Sequence, residues 1–209
     1  MKTLESQLQD AGLEVMGRCD RLSSLGAELL QSSAMLRDFT PAEVDILGAG
    51  MLLVRAGPGQ PLIREGETGE WMMLLLKGTV DITKRAVPRP EAPVDAAATA
   101  SDAPDGARDP SADSTPPEPP AEAEISRLSV IRAGAAFGEM SMLDSEPRYA
   151  SCTAIDEVEA GVLGRHEVAM LIRDHPGVGA KLLVKITQLM AQRLRNTSNQ
   201  LIKLMRKRA

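Results

Sequence analysis

The sequence predicts a mainly β domain with flanking α-helices: an antiparallel β-roll, helices ahead of it and one long helix behind it. Three observations predict this. From Met51 onward, apolar residues come in short runs separated by glycine and proline, the texture of closely spaced strands and turns. On both sides of that stretch they recur at helical spacings instead. The chain of 209 residues, 43% of them hydrophobic, is long enough for one well-buried domain and too short for two large ones.

The elements follow in order. Leu4, Leu8, Val15, Leu22, Leu25, Leu29 and Leu36 fall at mostly helical spacings broken by Gly12, Gly17 and Gly26, so residues 1–37 read as a helical segment of one or two short helices. Thr40-Pro41-Ala42-Glu43 is a capping box with proline at the first helical position, which starts a helix running to about Ala49. Strands are expected at Met51–Arg55, Pro61–Arg64, Glu70–Leu76 and Thr79–Lys84, punctuated by Gly57-Pro58-Gly59, Gly66, Gly69 and Gly78.

Residues 86–124 break the pattern. They hold nine of the 14 prolines, eleven alanines and no aromatic residue, a composition that cannot offset the entropy of ordering it. Strand character resumes at Ile125–Ile131, so this Pro/Ala/Asp-rich segment is expected to be a disordered insertion between two paired strands of a domain spanning residues 38–209. It is either a tolerated surface insertion or a loop that docks a partner. Further strands are expected at Cys152–Ile155 and Glu159–Leu163, then a helix at Arg165–Arg173 that stops near His175-Pro176, where the last helix begins. That helix carries Leu183, Ile186, Met190, Thr197, Leu201 and Leu204 at approximate three-four spacing. So long a helix cannot bury its whole stripe on a small roll; it either folds back on the roll or meets a second copy.

Charge and composition exclude several classes. The net charge of −5 misleads, because residues 86–124 alone hold nine acids and two arginines and leave the rest of the chain net positive. Residues 1–45 carry eight acids and four bases, whereas after Asp174 there are eight bases and no acid. Two cysteines cannot build a disulfide framework or an iron–sulfur cluster and suit a reducing compartment; Cys152 is expected to face the roll interior as a small core residue. The run Trp71–Leu76 is far too short to cross a bilayer, and the N-terminus lacks a signal-peptide apolar segment, so a cytoplasmic protein is expected. His166-Glu167 lacks the second histidine of a zinc-protease helix, and residues 177–181 lack the spacing of a phosphate loop, so neither a catalytic nor a metal-ligating set is expected.

The stretch FGEMSMLDSEPRYASCTA, residues 137–154, has the chemistry of an anion site. Gly138 lets the backbone approach a ligand, and the amides of the turn from Glu139 to Leu143 point outward as a helix N-terminus does. Arg148 brings a guanidinium that forks onto two phosphate oxygens. Glu139 would repel phosphate yet suits a sugar hydroxyl, and a cation with an acceptor describes a nucleotide. With no ligand, the same two side chains could form a salt bridge that stabilises the loop.

At these residues the chain resembles the cyclic nucleotide-binding domain family, whose phosphate-binding cassette reads Phe-Gly-Glu, a few apolar residues, then Pro-Arg and small residues. The resemblance extends to residues 39–47, 61–82 and 131–140 and into the closing helix to about Leu204. It implies a double-stranded β-helix, or jelly roll, and a regulatory protein without catalysis. It implies that Gly138, Glu139, Met140 and Ser141 face the cyclic phosphate and ribose, with Arg148 neutralising the phosphate. MAQRLRNTSNQL resembles the segment of catabolite-activator type regulators that sets a Thr-Ser pair over the adenine, which places Thr197 and Ser198 on that pair; the alternative is an exposed polar turn. Tyr149 departs from the family's small residue. Its ring either points outward over the pocket, or changes which purine fits, or favours a larger ligand such as a cyclic dinucleotide.

The resemblance further implies a homodimer through the closing helix, cAMP or else cGMP as ligand, and an effector protein as the receiver of the signal. The rival is a ligand-independent interaction module on the same roll. Related transcription regulators continue past the long helix into a helix-turn-helix, whereas this sequence stops at Ala209, so sequence-specific DNA reading is not expected. The basic residues Lys203, Arg206, Lys207 and Arg208 form a solvated helix end that favours the macrodipole, or a weak contact for nucleic acid or anionic lipid.

Overall fold

In the computed structural model, residues 3–25, 27–85 and 125–208 are described. The main body comprises residues 1–84 and 127–209; a second unit, 85–126, is described only at its ends, and the insertion expected at 86–124 lies outside the described residues. The elements are α1 (Leu4–Asp10), β1 (Glu14–Arg18), a 3₁₀ turn (Leu22–Leu25), α2 (Ala27–Ser32), α3 (Pro41–Ala49), β2 (Leu52–Ala56), β3 (Pro61–Ile63), β4 (Trp71–Lys77), β5 (Thr79–Arg85), β6 (Ile125–Arg132), β7 (Ala136–Phe137), α4 (Glu139–Asp144), β8 (Ser151–Ala154), β9 (Val158–Gly164), α5 (Arg165–Asp174) and α6 (Pro176–Arg208).

The strands form a five-stranded sheet ordered β1-β2-β9-β4-β7 and a four-stranded sheet ordered β3-β8-β5-β6. β1–β2, β2–β9, β4–β7, β4–β9, β3–β8 and β5–β8 pair antiparallel. This is the antiparallel roll with flanking helices that the spacing predicts. β5 and β6, the strands on either side of residues 86–124, are neighbours in the second sheet.

β4 shows why its sequence is apolar without a break. Successive side chains of a strand point to opposite faces, and both faces of this one are covered. Trp71, Met73 and Leu75 join the cluster inside the roll with Leu62, Phe137, Cys152 and Val162. Met72 and Leu74 join the outer cluster with Leu47 of α3, Val168 and Leu171 of α5, and Leu182 and Ile186 of α6. Cys152 lies among the roll-interior residues, as expected.

The capping box forms as the sequence predicts: the Thr40 hydroxyl accepts from the Glu43 amide, and the Glu43 carboxylate accepts from the Thr40 amide. Glu43 also accepts from Lys181 of α6 at 2.7 Å, and the buried Lys185 pairs with Asp38. The acidic N-terminal part and the basic closing helix thus meet at α3 and α6.

One expectation is corrected. The segment 1–37 is not purely helical, because Glu14–Arg18 is a strand that extends the first sheet beside β2. Only Val15 in it is even partly buried, so no alternation marks it in the sequence. Its strand geometry comes from pairing with β2, a neighbour remote in sequence.

The 33-residue α6 spans about 50 Å at 1.5 Å per residue. Its first turns are buried through Val178, Leu182 and Ile186; beyond Met190, Leu194, Leu201, Ile202, Leu204 and Met205 are exposed. It does not fold its whole stripe onto the roll.

Candidate functional site

The loop from β7 to β8 forms as its residues dictate. Gly138 adopts φ +76°, the left-handed region where a Cβ is strained, and so turns the chain from β7 into α4. A Cβ there would stand 2.8 Å from Cδ1 of Ile63. α4 then runs Glu139–Asp144, with Glu139 and Ser141 buried and Met140 exposed. The chain returns at Arg148, whose backbone is fixed on both sides: its amide donates to the Glu67 carbonyl at 2.8 Å and its carbonyl accepts from the Gly66 amide at 2.9 Å. The turn between β3 and β4 therefore sets where the guanidinium begins.

Arg148 is only 4% exposed. Its guanidinium carbon lies 4.5 Å from the Trp71 ring centroid, and Nη1 donates to the Gly138 carbonyl at 2.8 Å. Gly69 leaves the space it needs, since a Cβ there would stand 2.5 Å from Nη2 and 2.7 Å from Nε. Burial pulls the Arg148 pKa down to about 10, against the attraction of Cys152, Glu139 and Glu67. The group remains charged at neutral pH, and its Nη2 is buried with no hydrogen-bond partner.

Glu139 does not pair with Arg148. It is 2% exposed, and its Oε1 accepts from Nη1 of Arg193 on α6, while Nη2 of the same arginine donates to the Ala136 carbonyl. The second carboxylate oxygen, Oε2, is buried and unpartnered. Among the described residues four buried side-chain polar atoms lack a partner: Trp71 Nε1, Glu139 Oε2 and Arg148 Nη2 in this region, and Asp81 Oδ1 on β5. Such groups are rare in folded proteins, and they supply donors and an acceptor for a polar ligand.

The Tyr149 side chain is turned outward. Its ring is 57% exposed, the ammonium of Lys84 lies 4.0 Å from its centroid, and Lys84 also donates to the Tyr149 carbonyl at 2.7 Å. The side chain lines neither cavity beside Trp71. Thr197 and Ser198 are exposed on α6, one turn beyond Arg193. The helix remains continuous through them, so they do not mark a frayed end.

Sequence reasoning missed Arg193, Trp71 and Arg165. Arg193 lies four residues before Thr197 on the same helix face, a spacing that could have singled it out. Trp71 is the chain's one tryptophan and opens the strand facing the cassette. Arg165, first residue of α5, donates to the Met142 carbonyl at 2.7 Å and the Ser141 carbonyl at 3.4 Å, and so ties the end of α4 to the β9–α5 junction. No sequence signal marks it.

Among the described residues no group of three or more His, Cys, Asp or Glu is placed to hold a metal ion. Both cysteines are free and buried; burial, with Asp20 adding to it, raises Cys19 from 9.0 to about 11, and burial raises Cys152 from 9.0 to about 12. Thiols that ionise later folded than unfolded hold their protons in the native state while the unfolded chain loses them. Stability from this source is complete below pH 9 and falls as pH rises from 9 toward 11–12. Denaturant midpoints at pH 8 and pH 10 are expected to differ more for the parent protein than for the Cys19→Ala, Cys152→Ala double variant; equal differences would contradict the assignment.

Residues 121–175 match the family model of the cyclic nucleotide-binding domain. Over 174 residues the chain is 26% identical to a CRP-like cAMP-activated global transcriptional regulator of Mycobacterium tuberculosis; it covers 83% of this chain and spans 61% of that regulator's length. A cyclic nucleotide-binding domain from Methylobacillus flagellatus superimposes with TM-score 0.67 at 26% identity, covering 91% of this chain and 88% of the other. The catabolite activator protein of Thermus thermophilus shares the fold, with TM-score 0.61 at 23% identity over 82% of this chain and 63% of that one. Among the described residues no helix is long and apolar enough to cross a membrane.

Proposed function

We propose that the chain is built on a cyclic nucleotide-binding domain and that it is a regulatory sensor of a cyclic mononucleotide, cAMP, without catalytic activity of its own. One observation carries the reading: Arg148 is a buried, charged guanidinium with an unpartnered Nη2, beside a glycine that opens α4. An ion is costly to bury without a counter-charge, and a phosphate monoester supplies one. On this reading Gly138, Met140 and Ser141 present the start of α4 to the phosphate, and Glu139 accepts a ribose hydroxyl through Oε2. The relative named as cAMP-activated supports the choice of nucleotide.

The signal passes through α6. Arg193 joins this helix to Glu139, so a ribose that competes for the carboxylate changes the tie between cassette and helix. A ligand can shift the helix only by its different contacts in two positions, and this shared carboxylate provides such a difference. Leu194, Leu201 and Leu204, exposed along the outer part of α6, suit a helix-to-helix seam in a homodimer. Such a seam also gives Thr197 and Ser198 a bound purine to face. The receiver of the signal is an effector protein, and the two free thiols suit the reducing cytoplasm.

Calorimetry of the full chain with cAMP, cGMP and a cyclic dinucleotide tests this. Saturable binding of cAMP in preference to the other two is expected. Preference for the cyclic dinucleotide would overturn the choice of ligand, and no heat with any of the three would favour a ligand-independent interaction module.

A further inference from the structure

We propose that α1 is a built-in plug for the roll, and that a cyclic nucleotide reaches Arg148 only as α1 undocks. The proposal rests on Arg148 as the phosphate site.

Leu8 of α1 is fully buried, and it belongs to the cluster inside the roll, with Leu62, Ile63, Trp71, Phe137 and Cys152. A side chain from the N-terminal segment thus joins the apolar cluster that includes Trp71, the ring against which Arg148 lies. The segment continues over the mouth. Ala11 helps line the cavity at Arg148, whose volume is about 10 Å³. That is room for about one water, whereas small-molecule sites run to about 300–1,000 Å³. A wider cavity of about 970 Å³ runs past Trp71 between residues 7–12 and the turn carrying Arg64, Glu67 and Thr68. The two share Ala11, Arg64, Glu67, Thr68 and Trp71, so the wide one is the approach and the narrow one its end.

Something must move for a nucleotide to touch Arg148, and the lining elements differ in what holds them. Ile63 and Trp71 sit on strands locked into ladders with β8 and β9. α1 has seven residues, shorter than a helix that persists alone, and its N-cap bond, from the Ser6 amide to the Thr3 hydroxyl, is exposed. Leu8 is the only buried residue in it. An element of that kind opens locally before the sheets do. Its departure also carries information outward, because Leu4 lies over Gly164, where a Cβ would stand 3.4 Å from both Leu4 methyls, at the junction of β9 and α5.

Hydrogen exchange of the full chain, with and without saturating cAMP, reads the plug directly. Amides of residues 4–11 are expected to exchange faster with cAMP bound, while those of β4 and β9 slow. In the full-length Leu8→Asp variant, whose plug cannot dock, cAMP affinity is expected to rise about tenfold or more, since the ligand no longer expels a buried leucine. If cAMP binds the parent with exchange in residues 4–11 unchanged or slowed, the plug is refuted while the nucleotide site stands. Should Leu8→Asp not fold, exchange in the parent decides alone. Binding by the variant and not by the parent supports the plug in its strongest form. Binding by neither removes the nucleotide site and the plug with it.

Discussion

Replacing Arg148 with methionine is expected to weaken cAMP binding by about 10- to 150-fold while leaving the melting temperature of the ligand-free protein level or higher. The two halves have one cause. Hydrogen bonds to a charged group contribute about 1.5–3 kcal/mol each, which sets the loss in affinity. In the ligand-free protein the charge is a burden: burial pulls its pKa down to about 10, and Nη2 has no partner. Methionine keeps the apolar stem against Trp71 and removes the buried ion, an exchange that is often neutral or stabilising. The bond from Nη1 to the Gly138 carbonyl is lost, a cost of about 1 kcal/mol that opposes the gain. A salt-bridging arginine would behave otherwise, since losing it strands a buried carboxylate; here Glu139 keeps Arg193. Gly69→Ala gives an independent check. Its Cβ would land 2.5 Å from Nη2, so the flexible guanidinium swings away, and affinity falls with the charge still present. Calorimetry and thermal melts of both variants read these outcomes. Unchanged affinity in Arg148→Met would place the ligand elsewhere.

Most of the roll was legible because its signals are local. Thr40 and Glu43 announce their helix through a capping box that both side chains complete, and the run Trp71–Leu76 announces a strand buried on both faces. The return of Arg148 to Gly138 was legible for another reason: both lie in one loop whose spacing resembles a cassette. What stayed hidden depends on residues far away in the chain. β1 has no alternation of its own and exists through its pairing with β2. Glu139 and Arg193 are 54 positions apart, and only the path of α6 past the cassette shows that they meet. The helical spacing of Leu4 and Leu8 reads correctly as a helix, yet nothing in it says that Leu8 ends inside the roll rather than on a surface. For Tyr149 the direction of the ring was open from sequence, and it is turned outward beside Lys84 of the adjacent β5.

Gly138→Ala is expected to lower the melting temperature by about 4–20 °C and to weaken cAMP binding as well, because one residue serves both fold and site. At φ +76° a Cβ meets the carbonyl oxygen, a cost of about 1–2 kcal/mol. The new atom would also stand 2.8 Å from Cδ1 of Ile63 and 3.2 Å from Nη1 of Arg148. Overpacking of that kind adds about 1–3 kcal/mol. In a chain of this size each kcal/mol moves the midpoint by about 2–4 °C, which gives the stated range. The loop can relieve the strain only by turning the peptide that joins β7 to α4, and that movement carries the Gly138 carbonyl away from Nη1 and tilts the first amides of α4 from the phosphate. Affinity should therefore fall even at temperatures where the variant is fully folded. The contrast with Arg148→Met is the test: one variant loses binding at unchanged stability, the other loses both. A Gly138→Ala protein that melted lower yet bound cAMP at parental affinity would show that the conformation of this turn serves the fold alone.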